Sequence, residues 1–318
     1  MSMKEIGGYF GLEEFTDKSM YSDLVATNSA RNALVYVLRA KGIKKLYIPY
    51  YLCNSVSGVC DREGFAYEFY NIDKALRPIF DKKLDIDEYI YVVNYFGQLS
   101  DADILALKEK HTNIILDNVQ AFFHKPIAGI DTVYSCRKFF GVPDGGYVAT
   151  DAEIGCELPT DISMDRMKHI LGRFEGKSAS DYYTDFREND DAFEGLELRR
   201  MSKLTHNIMS AVDYEYVKGK REENFSMLHS LLGDKNGLNI KPSAGPYVYP
   251  FYCKNGMAIK KALAQKKIFI PTLWQEVTEM GQALEADLAE NILPLPCDQR
   301  YGKEDMERIA AELSLLLG

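Results

Sequence analysis

The sequence predicts an α/β protein with a large lobe built on a mostly parallel central sheet and a small α+β lobe at the C-terminal end. Between residues 28 and 150, short apolar runs of strand length alternate with segments of helical periodicity, as in a parallel sheet covered by helices. After Thr150 this alternation gives way to long helical patterns, and it returns in shorter form beyond residue 246. We therefore place a large domain at residues 21–235 and a small domain at residues 236–318, together with an N-terminal arm of residues 1–20.

The elements of the large lobe are predicted from caps and periodicity. Thr27, Asn28 and Ser29 are good N-cap residues, an apolar stripe follows them at helical spacing, and Gly42 suits the end of that helix. Strands are predicted at residues 46–49, 66–73 and 89–98, and a helix at 101–111. The runs IILDNVQA (114–121) and DTVYSCRKFFGVPDGGYVAT (131–150) each begin as an apolar, β-branched strand and end in polar residues, which predicts central strands of a buried parallel sheet.

The rest of the chain is predicted to be mainly helical and then mixed. Residues 157–171 have a helical pattern, whereas residues 178–200 are acidic and aperiodic, which predicts an exposed excursion. A long helical region follows at residues 201–232. The small lobe is predicted to contain a strand at 247–252, a helix at 257–265, a short strand at 267–270 and a final helix at 304–317.

Composition and charge argue against several classes of protein. The 318-residue chain has a formal net charge of −9 and a pI of about 5.2, so nucleic acid and anionic membranes, which bind basic surfaces, are not expected as partners. No apolar run approaches membrane-spanning length and the N-terminus lacks the features of a secretion signal, so we expect a cytoplasmic protein. The six cysteines form no Cys-x-x-Cys pair, and neither a metal site nor a disulfide is predicted.

Polar residues at the ends of two neighbouring strands carry the main functional prediction. Asp117 and Gln120 follow the apolar part of one strand, and Lys138 follows the next strand along the chain. If the connection is short, the acid and the amine lie at the same edge of the sheet. A buried carboxylate beside a ring nitrogen and a lysine that forms a Schiff base are what pyridoxal phosphate requires, so this cofactor is predicted. The alternative is that Asp117 only caps the turn after its strand.

Two further features fit a cofactor that carries a phosphate. The first turn of the predicted first helix is short-chained and polar apart from Arg31, and free N–H groups at a helix N-terminus bind phosphate. Gly145 and Gly146 would let the backbone pass close to the cofactor or turn tightly into the next strand. No Gly-x-Gly-x-x-Gly motif follows a strand and no P-loop motif occurs, which disfavours dinucleotide and P-loop sites.

The order of these motifs resembles the DegT/StrS family of sugar aminotransferases, within the fold-type I pyridoxal phosphate enzymes. The matching elements are a strand ending in D-x-x-Q (117–120), a strand ending in S-x-x-K (135–138) and the Gly-Gly pair at 145–146. SARNAL is similar to the family's phosphate-binding G-T-x-A-L segment, IPYYLCNSV to its proline-led loop and NYFGQ to its H-x-y-G segment. The resemblance spans about residues 24–150 and implies an aminotransferase fold of type I.

The resemblance implies a role for each matching residue at the ring of the cofactor. Lys138 would bind the cofactor covalently and then move a proton during catalysis. Asp117 would hold the pyridinium nitrogen, and Gln120 would contact the ring near its phenolic oxygen. Cys53 stands where relatives place an aromatic ring over the cofactor, so stacking would be weak or supplied by Tyr51.

The resemblance also implies a phosphate site, although two family residues are missing. Ser135 would be a hydroxyl donor to the phosphate. Val133 stands where relatives carry a phosphate-binding serine, and Leu198 where they carry an asparagine. Three backbone N–H groups in the first helical turn would complete the site: those of Ala30, Arg31 and Asn32.

The implied reaction transfers an amino group from glutamate to a nucleotide-linked keto sugar, in a homodimer that binds only small-molecule substrates. Two alternatives remain. One is a pyridoxal phosphate-dependent sugar dehydratase or other lyase, which Lys138 disfavours because sugar-dehydrating relatives carry histidine there. The other is a non-catalytic, regulatory or sugar-binding descendant of the fold. Arg199, Arg200 and Arg221 would either face a substrate phosphate or carboxylate or be solvated charges on helices.

Overall fold

The computed structural model describes residues 6–318, which form a large sheet flanked by helices and a second, two-stranded sheet. The strands β1 to β10 are, in chain order, Val25–Thr27, Lys45–Pro49, Ala66–Ile72, Pro78–Ile79, Glu88–Val93, Ile114–Asp117, Asp131–Ser135, Gly146–Ala149, Tyr249–Tyr252 and Ile292–Leu295. The helices α1 to α10 are Ala30–Ala40, Asn54–Glu63, Asp101–Lys110, Lys168–Phe174, Tyr183–Ala192, Lys203–Ser210, Tyr214–Leu232, Gly256–Gln265, Ala283–Asn291 and Lys303–Leu317. No helix within residues 6–318 is both long enough and apolar enough to cross a bilayer.

The large sheet has eight strands in the order β1-β8-β7-β6-β5-β2-β3-β4. Its centre, from β3 through β2, β5 and β6 to β7, is parallel, and β1, β4 and β8 pair antiparallel with their neighbours. The strands β6, β7 and β8 are buried along their whole length because helices or loops cover both faces. The prediction of a mostly parallel α/β lobe with a small second sheet is confirmed.

The first helix packs tightly against the end of the sheet. Ser29 caps α1 by accepting a hydrogen bond from the Asn32 N–H, and the apolar stripe that follows is buried. Gly146 at the start of β8 faces this cap closely, since a Cβ there would lie 2.6 Å from the Ser29 carbonyl carbon and 2.7 Å from the Ala30 nitrogen. A glycine is therefore required at this position for α1 to begin directly above the ends of β7 and β8.

The C-terminal part of the chain has its own core. The antiparallel strands β9 and β10 pack with α7, α8 and α10 around buried side chains such as Phe251, Leu263 and Met306. The C-terminal half of α7 adds Phe225 and Leu228 to this core, whereas Val217 in its first turn belongs to a cluster near β7. The helix thus connects the two cores, and a domain boundary at residue 235 stays a prediction.

Several expected elements differ from those observed. The excursion at 178–200 contains the helix α5, which has no continuous apolar stripe because it is largely exposed. Residues 267–270 are not a strand, and the partner of β9 is β10 with the sequence ILPL. Prolines face each other in this pair (Pro250 and Pro294), which a two-stranded sheet tolerates because both of its strands are edges.

The N-terminal arm is extended and exposed in the part that the structure describes. Residues 6–18 have exposed side chains, and the arm is held to α6 through Asn207, which accepts from the Phe15 N–H at 2.8 Å and donates to the Glu13 carbonyl at 2.7 Å. Residues 1–5 of the predicted arm lie outside the described residues. Within residues 6–318, these contacts attach the arm to α6 and not to the C-terminal core.

Candidate active site

Asp117 is the last residue of β6 and is buried in the middle of the sheet. Its Oδ1 accepts a 2.7 Å hydrogen bond from the Val119 N–H, so the turn-capping alternative is realised with one carboxylate oxygen. Burial raises the pKa of Asp117, and this rise is opposed by the Val119 N–H, the positive charge of Lys138 and the hydroxyl of Tyr91. The structure therefore brings the acid into electrostatic range of the lysine with which it was predicted to act.

Lys138 lies in the turn after β7 with its side chain partly buried. Its Nζ is 5.6 Å from the centroid of the Tyr247 ring, and within residues 6–318 it forms neither an ion pair nor a hydrogen bond. An amine that is not held by a carboxylate is free to approach the carbonyl group of a bound ligand. The geometry at this residue fits a Schiff-base lysine.

The turn that carries Lys138 is fixed from the C-terminal side by two side chains. The Phe139 carbonyl accepts hydrogen bonds from Arg221 Nη2 at 3.1 Å and from Gln299 Nε2 at 2.8 Å. Arg221 also donates to Gln299 Oε1 at 2.7 Å and to the Pro246 carbonyl at 2.9 Å. Arg221 is only 2% exposed, and burial lowers the pKa of its guanidinium. It is thus neither a solvated charge nor free to face a substrate.

Sequence reasoning missed this role of Arg221, although a signal was present. Arg221 precedes Phe225 by four residues and Leu228 by seven, which places it on the buried face of α7. An arginine on an apolar face is expected to find several acceptors, because burying an unpaired charge is unfavourable. The acceptors here are mostly backbone carbonyls, whose positions the sequence does not reveal.

Gln120 supplies an unpartnered polar group close to Asp117. Its side chain is 2% exposed, and its Oε1 accepts a 3.0 Å hydrogen bond from the Phe96 N–H. Its Nε2 is buried and has no partner within the described part of the chain. A buried amide donor without an acceptor is unfavourable by about 1–3 kcal/mol, so it indicates a group that the isolated chain lacks.

The N-terminus of α1 offers two of the three predicted backbone donors. The Asn32 N–H donates to Ser29 Oγ at 3.1 Å, and the Asn32 side chain donates to the Asn28 side chain and to two backbone carbonyls. The N–H groups of Ala30 and Arg31 have no acceptor among residues 6–318. Ser135 lies beside them, since it pairs with Gly146 in the sheet. Two free N–H groups and a nearby hydroxyl fit a phosphate.

The turn before Gly145 is anchored by a buried aspartate that the sequence did not point to. Asp144 accepts hydrogen bonds from the Ser202 N–H at 2.9 Å, from Ser202 Oγ at 2.8 Å and from the hydroxyl of Thr205. Ser202 is the N-cap of α6, so this contact joins the glycine pair to the start of that helix. Asp144 therefore holds the start of β8, which lies beside the first turn of α1.

The residues considered for stacking on the cofactor lie near the site but differ in their surroundings. Cys53 directly precedes α2, is half-buried and has its Sγ 2.7 Å from Ser55 Oγ. Tyr51 is completely buried, with its ring packed edge-on against Trp274 at 4.7 Å between centroids. The Tyr51 ring is therefore part of the core, and Cys53 is the more accessible of the two.

Comparison with known proteins identifies the fold. No family model matches the chain, and no curated protein matches it by sequence. Many solved structures share its architecture, and three of them are described below. A mostly parallel sheet with a lysine and an aspartate at adjacent strand ends, joined to a small antiparallel lobe, defines the class as the fold-type I aminotransferase fold.

Three of these structures cover almost the whole chain. A DegT/DnrJ/EryC1/StrS aminotransferase from Brucella abortus aligns with a TM-score of 0.63 and 15% identity over 93% of this chain and 86% of that one. DesI, solved in the presence of its TDP-sugar product, aligns with a TM-score of 0.65 and 16% identity over 92% and 80%. NtdA from Bacillus subtilis with bound cofactor PMP aligns with a TM-score of 0.62 and 14% identity over 92% and 72%. The fold predicted from the resemblance is confirmed.

Proposed function

We propose that this chain is a pyridoxal phosphate-dependent aminotransferase that transfers an amino group from glutamate to a nucleotide-linked keto sugar. The observation that carries the proposal is the convergence of a buried carboxylate, an amine without an acidic partner and an unpartnered amide at one edge of the sheet. Two structures that share the fold support it through the molecules with which they were solved, a TDP-sugar product in DesI and PMP in NtdA. The glutamate donor follows only from the resemblance to sugar aminotransferases.

The residues fit three groups of the cofactor, namely its pyridine nitrogen, its ring oxygen and its phosphate. Asp117 would hold the pyridine nitrogen, because a buried carboxylate with a raised pKa gains most from a cationic partner. Gln120 Nε2, which lacks an acceptor, would donate to the ring oxygen. The free N–H groups of Ala30 and Arg31 would bind the phosphate, with Ser135 as a hydroxyl donor. When bound, pyridoxal phosphate supplies an electron sink that stabilises a carbanion next to the amino nitrogen.

Lys138 would act both as the covalent anchor and as the group that moves the proton. In the first role its Nζ would bond to the aldehyde carbon of the cofactor, and the aldehyde oxygen would leave as water. In the second role the amine, displaced by the amino group of the substrate, would accept and return the proton of the substrate Cα, as a positioned base does in acid–base catalysis. The hydrogen bonds from Arg221 and Gln299 to the Phe139 carbonyl keep this amine at the carboxyl edge of the sheet during both steps.

The exposed surface around the site supports assembly with a second copy of the chain. Large apolar side chains of the arm are almost fully exposed, among them Tyr9 and Phe10. The segment 161–192 exposes Ile162, Met164 and Phe174. Such surfaces usually mark contacts between proteins, and the proposed enzyme is accordingly a homodimer.

The cofactor assignment can be tested with the purified protein and pyridoxal phosphate. We expect a visible absorption band that borohydride fixes covalently at Lys138, located by peptide mass spectrometry, because reduction turns the carbon–nitrogen double bond into a stable single bond. Lys138→Ala should lose both the band and the label, whereas the exposed Lys125→Ala should keep both. Labelling at another lysine, or no band in the unmodified protein, would refute the assignment.

The amino donor is tested separately with the loaded protein. Adding glutamate should bleach the visible band and produce one equivalent of 2-oxoglutarate per site, and a nucleotide-linked keto sugar should then restore the band. If the cofactor is bound through Lys138 and glutamate leaves the spectrum unchanged, the glutamate reaction is excluded. The same experiment with a panel of other amino acids then distinguishes a different donor from a non-catalytic protein.

A further inference from the structure

Three arginines collect at the start of α1 although the chain as a whole is acidic, with a formal net charge of −9. Arg31 lies in the first turn of the helix, and Arg137 directly precedes Lys138. The guanidinium carbon of Arg137 is 4.2 Å from the centroid of the Phe193 ring, and that of Arg166 is 5.4 Å from the same ring. Two of the three cations therefore share one aromatic platform, which we call the Phe193 platform.

The backbone places Arg137, one of the arginines on the Phe193 platform, close to the free N–H groups at the start of α1. Gly146 lies so close to the start of α1 that a Cβ on it would be 2.6 Å from the Ser29 carbonyl carbon and 2.7 Å from the Ala30 nitrogen, and its partner in the sheet is Ser135. The chain leaves β7 at Ser135 and reaches Arg137 two residues later, while the Cys136 N–H is bonded to the Gly145 carbonyl at 3.1 Å. The charge of Arg31 acts directly on Arg137 and helps to lower its pKa, after the larger effect of burial. The two guanidinium groups therefore lie within electrostatic range of each other.

The acids nearby do not neutralise the cluster. Arg137 is paired with Asp190, with both terminal nitrogens 3.2 Å from the same Oδ1, and Arg166 is paired with Asp161 at 2.6 Å. Arg31 forms no ion pair within residues 6–318. Three guanidinium groups against two carboxylates leave one positive charge, to which the helix N-terminus adds about half a charge. A phosphate monoester carries about −1.5 to −2 at neutral pH, which matches this surplus.

A buried nitrogen in the cluster also lacks a partner. Arg166 Nη1 is inaccessible to solvent and has no acceptor in the described part of the chain, although Nη2 of the same group is bonded to Asp161. Buried guanidinium donors are normally satisfied, because leaving a charged donor unpaired is unfavourable. A surplus positive charge and an unused guanidinium donor are both features that a bound anion would satisfy.

We propose that Arg31 and Arg137, supported by Arg166 on the Phe193 platform, bind the phosphate group of the cofactor, an inference that rests on the proposed function. The guanidinium groups supply the positive charge, and the Ala30 and Arg31 N–H groups and Ser135 supply orientation. This arrangement also explains how the chain can do without a hydroxyl at Val133. A flat guanidinium fork suits phosphate oxygens better than an ammonium group does.

The test compares two aldehydes that differ only in the phosphate group. Pyridoxal phosphate and pyridoxal are titrated into the protein, and the dissociation constants are measured from the absorption band of the Lys138 adduct. Arg31→Gln and Arg137→Gln should each weaken pyridoxal phosphate about tenfold to hundredfold and leave pyridoxal unchanged within about twofold, because only the phosphate contact is lost. Arg31→Lys should recover part of the loss. Inorganic phosphate should compete with pyridoxal phosphate in the unmodified protein, and less in the variants.

Arg39→Gln is the matched control, since it removes an arginine from the other end of α1, where Arg39 pairs with Glu63. It should leave both dissociation constants unchanged. If the unmodified protein prefers pyridoxal phosphate and both glutamine variants keep that preference in full, the arginine assignment is wrong while the proposed function stands. If the unmodified protein forms no adduct with either aldehyde, the proposed function fails and this inference fails with it. Arg31 is partly exposed, so Arg31→Gln tests the idea even if Arg137→Gln does not fold.

Discussion

The two ends of the candidate site are built in different ways. The ring end uses groups at or just after the carboxyl ends of neighbouring strands, namely Asp117, Gln120 and Lys138, and the first two are almost completely buried. The proposed phosphate end combines the first turn of α1, which includes Arg31, with Arg137 and Arg166 from two other segments, and all three arginines are partly exposed. In the proposed site, the sheet would therefore fix where the chemistry occurs, whereas the charge that retains the cofactor would come from segments added around the sheet.

The largest expected effect comes from removing the ring-end carboxylate. Asp117→Asn should lower the rate of amino transfer about 10²–10³-fold, because a preorganised charge at the reacting ring is lost. Single-turnover kinetics with glutamate measure this rate, and Asp23→Asn on the surface serves as the control. A rate within threefold of the unmodified enzyme would mean that Asp117 is only a turn cap.

The junction between the two ends should respond to a single added methyl group. Gly146→Ala should lower the free energy of unfolding by about 1–3 kcal/mol, because its Cβ would lie 2.6 Å from the backbone of Ser29 and α1 would have to shift. Chemical denaturation measures the change. Gly58→Ala in α2, where a Cβ meets nothing within 4 Å, should instead stabilise the protein by about 0.5–1 kcal/mol. Equal effects at the two sites would contradict the close approach.

Gln120 distinguishes the ring end from the phosphate end most directly. Gln120→Leu should weaken pyridoxal phosphate and pyridoxal by the same factor, about tenfold, because the lost donor faces the ring and not the phosphate. Titration with both aldehydes measures the two factors. A loss confined to pyridoxal phosphate would place Gln120 at the phosphate end and reverse the assignment.

The smallest expected effect is a pH-dependent change in the free energy of unfolding of the cofactor-free protein when Asp117 is replaced. Burial raises the folded-state pKa of Asp117 above its value of about 3.9 in an unfolded chain, so the ionised group lowers stability as the pH rises through these values. Asp117→Asn should therefore raise the free energy of unfolding at pH 8 by about 1 kcal/mol and change it little at pH 4. Urea denaturation of the cofactor-free protein at both pH values measures this, and a variant that is less stable at pH 8 would contradict it.

The placement of Asp117 and Lys138 at neighbouring strand ends was predictable from sequence, because strands and their ends are encoded locally. One apolar run ends in Asp117, and a second leads to Lys138. The two runs form neighbouring parallel strands, so the two residues lie at adjacent strand ends. The Phe193 platform could not be predicted in this way, because Phe193 and Arg166 lie in a region where exposed helices have no apolar stripe. The strand β10 was missed for a related reason, since Pro294 is unfavourable in any strand that is not an edge.

The hydrogen bond that Arg221 donates to the Phe139 carbonyl affects how the turn with Lys138 can move. Lys138 follows a strand of the large sheet, but its neighbouring peptide is tied to the loops that enter β9 and precede α10. A movement of the C-terminal core relative to the large sheet would therefore displace this carbonyl or break the hydrogen bonds that hold it. The position of the Lys138 turn is thus coupled to the packing between the two cores.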